Sequence, residues 1–253
     1  VPMTMMAKLN IPVERPLHLF GAGHPMVFAL AVAMGCDLFD SAAYVLYAKD
    51  DRYLTNQGTL LLENLQYLPC SCPICKKYSA SELKELPRGM RQRAISEHNL
   101  HVTATEMDIV KQAIVEGRLW DIVETRAKAH PQMTSALKTL SKYSKYLEKG
   151  SSGFKGHGVF YYDYNSLVKP ETIRHNIQLK ENYKQPEGKD VLVLIKAPLK
   201  MPFNHYSEFI RIKNSVKNAE RVTFCFYAAP YGIIPEHLAE TFPLSQFEIA
   251  EPL

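Results

Sequence analysis

Three cysteines stand within six residues, Cys70-Ser71-Cys72-Pro73-Ile74-Cys75, and His98 follows after a spacer of twenty-two residues. Three thiolates and one imidazole make a closed tetrahedral shell for Zn²⁺ with no position left for water, the mark of a structural rather than a catalytic ion. Pro73 bends the chain so that all three sulfurs can point at one centre. Pro69 in front and Lys76-Lys77 behind read as a knuckle in a loop rather than a buried strand. The lysines are expected to favour the thiolate forms that bind metal. The competing reading is three half-buried free cysteines and an unrelated histidine. If the shell forms, a loop near position 72 must be fastened to whatever element carries His98.

The remaining composition narrows the class. A chain of 253 residues with 46% hydrophobic and 22% charged residues has the make-up of one large or two small globular domains. It contains no run of about 18 apolar residues, so no spanning helix and no membrane partner are expected. The start, Val1-Pro2-Met3-Thr4-Met5-Met6, lacks the basic-then-apolar pattern of a secretory signal. Five cysteines, three of them at metal spacing, point to a reducing, cytoplasmic setting. A formal net charge of +4 permits an RNA partner without requiring one.

Along the chain, residues 2 to 9 read as the tail of a helix. Leu17 to Phe20 form a short apolar strand that ends at Gly21-Ala22-Gly23. His24-Pro25 opens a helix running through Met34, with His24 as its cap and Gly35 as its stop. A second strand, Cys36 to Ala42, follows at once, so the pattern is strand–helix–strand with short connections, as in a parallel α/β sheet or barrel. Residues 44 to 80 read as irregular and hold the cysteine cluster. From about Ser81 to Lys149 the pattern is helical, with breaks at Gly117 and at His130-Pro131. Gly150-Ser151-Ser152-Gly153, with Gly156 and Gly158, reads as a linker. Two strand-like runs, Asp190 to Ile195 and Arg221 to Tyr227, flank a helix-like segment from about Phe203 to Asn218. The expected domains are therefore 1–150 and 151–253, the second a small α/β unit.

Ligands in α/β folds collect at the carboxyl ends of strands, and two such ends are Phe20-Gly21 and Asp40-Ser41. Asp40 is the sharpest candidate for chemistry, since a carboxylate there can attack a sugar carbon and form a covalent intermediate. A turn or helix cap is the structural alternative, and Asp37, earlier on the same strand, is the competing carboxylate. Lys49 and Arg52 follow in sequence as candidate phosphate contacts, although Asp50 and Asp51 offset them locally. Lys76, Lys77, Arg88, Arg91 and Arg93 surround the cysteine cluster with the same potential role. The aromatic group Phe160, Tyr161, Tyr162 and Tyr164 suits packing better than RNA stacking. His18 has no partner that the sequence can name, and Cys36 and Cys225 read as small apolar core residues.

Residues 17 to 25 (Leu-His-Leu-Phe-Gly-Ala-Gly-His-Pro), residues 35 to 44 (Gly-Cys-Asp-Leu-Phe-Asp-Ser-Ala-Ala-Tyr), the Cys70, Cys72, Cys75 cluster and His98 together resemble archaeal tRNA-guanine transglycosylase. The similarity runs from about residue 5 to 150 and continues more weakly beyond. It implies the C-terminal part of a TIM (β/α)8 barrel with a zinc-binding insertion and helices, followed by the small α/β (α+β) domain. It further implies exchange of guanine at position 15 in the tRNA D arm for 7-cyano-7-deazaguanine, the archaeosine precursor. On this resemblance Asp40 matches the nucleophile that attacks ribose C1′, and Phe20, beside Gly21, matches an aromatic that stacks on the bound base. Cys70, Cys72, Cys75 and His98 match the ligands of a structural Zn²⁺. Attack on C1′ requires a flipped-out nucleotide, and stacking on an aromatic face contributes about 1–3 kcal/mol.

The departures carry equal weight. The family's barrel has eight strands, and this chain supplies what reads as the last two. The early strands, with the general acid/base aspartate and the residues that read the guanine edge, are missing, as is a terminal RNA-binding module. Two strands cannot close a barrel, so the chain reads as a fragment or as one subunit of a split enzyme, inactive by itself. A second chain would then supply the early strands, and a zinc-side homodimer is what the family implies. Two alternatives are a non-catalytic zinc-bearing subunit that binds tRNA or a partner, and an archaeosine synthase-like paralogue. Members of the latter are expected to lack this aspartate and cysteine set.

Overall fold

The computed structural model describes residues 1–153, 155–198 and 201–250. Residues 251–253, which close the expected second domain, lie outside the described residues. The chain divides into two compact units, Val1–Tyr143 and Ser144–Leu253. It is a mixed α/β structure with four small sheets among the described residues and no closed barrel.

The first unit begins with α1 (Pro2–Leu9), whose Met5 is fully buried. β1 (His18–Leu19) and β2 (Leu38–Phe39) pair in parallel, with His18 opposite Leu38 and Leu19 opposite Phe39. Between them lie a 3₁₀ turn, Pro25–Val27, and α2 (Phe28–Ala33). This is the strand–helix–strand unit that the sequence predicts. His24 caps the crossover as expected, its Nδ1 accepting the Met26 N–H at 3.2 Å. Phe28, Ala29, Leu30 and Ala31 of α2 are buried, and α2 packs on the helix Leu119–Ala127.

Residues 44 to 80 are not irregular. They form α3 (Ala43–Lys49), a hairpin of β3 (Arg52–Thr55) and β4 (Gly58–Leu61), and the short helix α4 (Pro73–Lys77). Asn56-Gln57 makes the two-residue hairpin loop, with Thr55 paired to Gly58. Local pattern alone hides the hairpin, because Tyr53 and Leu54 are both fully buried and the strand shows no polar–apolar alternation. α5 (Ala80–Glu85) follows, its capping box closed by Ser79 and Glu82. The expected helical region resolves into α6 (Arg88–Val115), α7 (Leu119–Ala127) and α8 (Pro131–Leu140). The breaks fall at Gly117, which takes a positive φ of 69°, and at His130-Pro131. α6 is the spine of the unit: α3, β3, α4 and α7 all pack against it. Arg126 of α7 forms a bidentate pair with the buried Glu106 of α6, at 2.7 and 2.9 Å.

In the second unit, α9 (Ser144–Lys149) packs on α10 (Pro170–Asn182). Arg174 of α10 donates to the carbonyls of Glu148, Ser151 and Ser152 and to the Glu148 carboxylate. The glycine-rich stretch is thereby fastened within this unit. β5 (Val159–Tyr161) pairs in parallel with β9 (Phe247–Ile249). β6 (Val191–Lys196) pairs in parallel with β7 (Val222–Ala228), and β7 pairs antiparallel with β8 (Gly232–Pro235). α11 (Ser207–Ser215) connects β6 to β7. Phe203, Phe209, Phe224, Phe226 and Phe247 cluster with Val159 and Tyr161 to form the core. Alternate residues of β7 enter it, as the period of two requires. Cys36 and Cys225 are both buried, each in its own unit. No helix among the described residues is long and apolar enough to cross a membrane.

Candidate active site and metal centre

Parallel pairing of β1 and β2 brings the residues just beyond their carboxyl ends, Phe20-Gly21 and Asp40, to one rim. The Oδ1 of Asp40 accepts two hydrogen bonds, from the Gly21 N–H at 3.0 Å and from His18 Nε2 at 3.1 Å. A carboxylate only accepts, so His18 carries its proton on Nε2. Gly21 takes a φ of +74°, which suits a residue without Cβ and turns its N–H toward Asp40. The Asp40 side chain remains 47% exposed. Phe20 is 83% exposed, an unusual setting for a large aromatic ring, and His18 meets its ring edge-on at 6.1 Å. A carboxylate with one oxygen held, beside an uncovered aromatic face, is equipped to attack an electrophile whose flat substituent stacks alongside.

Two neighbours fix this rim. A Cβ on Gly23 would lie 2.0 Å from Ser41 Oγ, so only glycine allows the two loops to approach this closely. Ser41 Oγ in turn accepts the Ala43 N–H at 2.9 Å at the start of α3. Asp37, the competing carboxylate, is occupied otherwise. Its Oδ2 accepts the Leu17 N–H at 2.8 Å and pairs with Lys8 at 3.5 Å, tying β2 to β1 and α1.

The expected phosphate contacts sit apart from this rim. Lys49 and Arg52 are exposed but stand at and past the far end of α3, whose seven residues span about 10 Å. Asp51 does not offset Arg52. It forms a bidentate pair with Arg91, with both contacts at 2.9 Å, which removes Arg91 from the set of free cations as well. Lys77 lies over the ring of Tyr78.

The second cluster lies where α4 and the β3–β4 hairpin meet α6. The Sγ atoms of Cys70, Cys72 and Cys75 and a ring nitrogen of His98 lie within 4.8 Å of one another. Cys72 Sγ stands 3.5 Å from Cys75 Sγ and 3.5 Å from His98 Nδ1, and Cys75 Sγ stands 3.4 Å from that nitrogen. A tetrahedral Zn²⁺ shell with ordinary bond lengths has S···S near about 3.8 Å and S···N near about 3.6 Å. These three separations are within a few tenths of an ångström of those values, and Cys70 Sγ lies within 4.8 Å of the other donors, so the set suits such an ion. His98 Nε2 donates to the Leu54 carbonyl at 3.0 Å, which leaves the Nδ1 lone pair aimed at the sulfurs. Burial holds His98 well below its usual range, at about 4, so it is neutral at pH 7, the form that ligates.

The knuckle differs from expectation in two respects. Cys75 is on the helical turn α4, which Pro73 starts, rather than in a loop. The flanking lysines do not dominate its chemistry either. Burial pushes the Cys75 thiol up to about 12, against a lowering hydrogen bond from Tyr53.

Sequence reasoning missed the residues that surround this cluster. Tyr53 stacks on His98 with ring centroids 3.6 Å apart, and its hydroxyl lies 3.1 Å from Cys75 Sγ. Asn99 is fully buried. Its Oδ1 accepts the Leu54 N–H at 2.8 Å, while its Nδ2 donates to the carbonyls of Tyr44 and Arg52 at 3.0 and 3.1 Å. His98 and Asn99 thus attach β3 and α3 to α6 side by side.

Residues 1–132 match the family model described as queuine tRNA-ribosyltransferase. The chain is 42% identical over 248 residues to the tRNA-guanine(15) transglycosylase of Methanocaldococcus jannaschii, a match covering 97% of this chain and 36% of that protein. It is 41% identical over 254 residues to that of Methanobrevibacter smithii, covering 98% and 38%. Against that of Saccharolobus solfataricus it is 42% identical over 252 residues, covering 98% and 49%. The chain therefore spans between a third and a half of the length of these relatives.

Proposed function

The chain belongs to the queuine tRNA-ribosyltransferase family, and from that membership we propose that it carries the nucleophile of a tRNA-guanine(15) transglycosylase. In this reading β1 and β2 are the last strands of a (β/α)8 barrel, with residues 151–253 following as the small α/β domain. Further chain, in the same polypeptide or a partner subunit, supplies the early strands and the general acid/base. The substrates are tRNA and 7-cyano-7-deazaguanine, and the setting is cytoplasmic.

The observation that carries this reading is the Asp40 carboxylate at the rim of two parallel strands, with Oδ1 engaged twice and Phe20 uncovered beside it. Among the described residues Asp40 Oδ2 has no protein partner, so it is the oxygen free to attack. In the first half-reaction Oδ2 bonds to ribose C1′ as the bond from C1′ to the guanine N9 breaks. Guanine departs with that electron pair and receives a proton from the acid supplied by the rest of the enzyme. In the second half-reaction the incoming 7-deazaguanine loses its proton and bonds to C1′, and Asp40 leaves as a carboxylate. Phe20 stacks on the base in both halves, contributing about 1–3 kcal/mol. Lys49 and Arg52, apart from the rim, meet phosphates away from the reacting sugar, adding affinity without sequence readout.

The three sulfurs and His98 Nδ1 would hold a structural Zn²⁺, which would supply cross-linking rather than chemistry, since three thiolates and an imidazole are a structural donor set. The residues around it perform the fastening: α4 and β3 are tied to α6, and α3, which follows Asp40 directly, is held through Asn99.

Base exchange tests the proposal. With the remaining barrel strands present, radiolabelled guanine should enter tRNA. Asp40→Asn should lower that rate on the order of ten-thousandfold, as loss of a covalent nucleophile does. Exchange within about tenfold of the unsubstituted protein would remove Asp40 from the mechanism.

A further inference from the structure

We propose that His18 is a positioning residue for Asp40: it holds Oδ1 so that Oδ2 is the attacking oxygen, and it stabilises the carboxylate as the covalent ester is released. The proposal rests on the reading of Asp40 as nucleophile.

An exposed histidine–aspartate contact is ordinarily worth little, and His18 is half exposed. Three features set this one apart. His18 Nε2 and the Gly21 N–H converge on the same oxygen, at 3.1 and 3.0 Å, so the two carboxylate oxygens are made unequal. The second donor is fixed by a backbone turn with positive φ, which limits the positions the carboxylate can adopt. The ring that donates to Asp40 also meets Phe20 edge-on, because residues 18 and 20 lie on one side of the strand. One imidazole therefore orients both the carboxylate and the aromatic face.

The consequence for the reaction follows from where charge sits. In the free enzyme the two donors stabilise an anion through charge-assisted hydrogen bonds. When Oδ2 has bonded to C1′, Oδ1 becomes a neutral ester carbonyl and the same bonds weaken. When the incoming base displaces Asp40 from C1′, the electron pair of the C–O bond returns to the carboxylate and the bonds strengthen again. His18 therefore favours discharge of the ester over its accumulation.

The test uses the complete enzyme, with quenched single-turnover reactions on tRNA that count protein held as denaturation-stable adduct and then follow its discharge by added guanine. His18→Phe should slow discharge about tenfold, the worth of one hydrogen bond to an ionised group, and raise the adduct fraction at equilibrium. His18→Gln, whose amide nitrogen takes the place of Nε2, should discharge within about threefold of the unsubstituted rate. His18→Asn, whose amide stops at the position of Nδ1, is the second loss variant should His18→Phe fail to fold. Discharge at the unsubstituted rate in the loss variants overturns the proposal. So does equal slowing in the Gln variant, which would mark a packing role. If the unsubstituted enzyme forms no adduct, the nucleophile reading falls together with this one. If it forms adduct and the His18 loss variants discharge it at the unsubstituted rate, this inference alone falls.

Discussion

Asn99→Ala probes the fastening of the candidate site without touching a metal ligand. The side chain is fully buried and makes three hydrogen bonds to backbone, one to the Leu54 N–H and two to the carbonyls of Tyr44 and Arg52. Truncation removes the partner of all three of these groups. A buried donor or acceptor left unpaired costs about 1–3 kcal/mol, and carbonyls that keep one lone pair engaged sit at the low end. The sum is about 3–5 kcal/mol, a large part of the 5–15 kcal/mol typical of a whole domain. For a unit of this size each kcal/mol moves the midpoint by about 2–4 °C, so thermal unfolding followed by circular dichroism should shift down by about 10 °C. The shift should persist in the presence of a strong chelator, because the lost bonds do not involve the metal. A shift of less than about 2 °C would mean that β3 and α3 are held to α6 by something other than Asn99, and the account of the fastening would fail.

Two further outcomes concern the metal cluster. Cys72→Ala should reduce bound zinc, measured by elemental analysis of protein purified without chelator, from one ion per chain to a small fraction. It should also lower the melting temperature more than Ser96→Ala, a control on the same helix. In metal-stripped protein, the pKa of His98 lies at about 4 against an ordinary 6.5. The folded state therefore binds fewer protons than the unfolded state between those values. The stability contributed by the neutral imidazole is full above about pH 6.5 and is lost as pH falls toward 4. Urea titrations across that window should show a fall that His98→Asn abolishes.

Parts of this structure were legible in the sequence because their causes are local. The spacing of Cys70, Cys72 and Cys75 confines three sulfurs to one small volume, and their ligand atoms do converge with that of His98. The strand–helix–strand unit was readable from glycines and apolar runs, and the helix breaks from Gly117 and His130-Pro131. What escaped was non-local. Tyr53 becomes a neighbour of the cluster, and Asn99 a partner of Leu54, only because β3 lies on α6, 45 residues away in sequence. The hairpin itself left a signal in Asn56-Gln57-Gly58, but its buried strand lacks the alternation that identifies a half-buried one. His18 had no nameable partner until parallel pairing of β1 and β2 set it beside Asp40. Arg91 counted as a free cation until the fold placed Asp51 against it.

In the proposed reaction Asp40 forms a bond to ribose C1′. Its most direct measurement is the site of covalent attachment. Enzyme with all barrel strands present is quenched during turnover with tRNA, digested with nuclease and protease, and the ribose-bearing peptide sequenced by mass spectrometry. A mass increment is expected on Asp40 and should disappear in Asp40→Asn. An increment on another residue, or an adduct that survives that substitution, would contradict it.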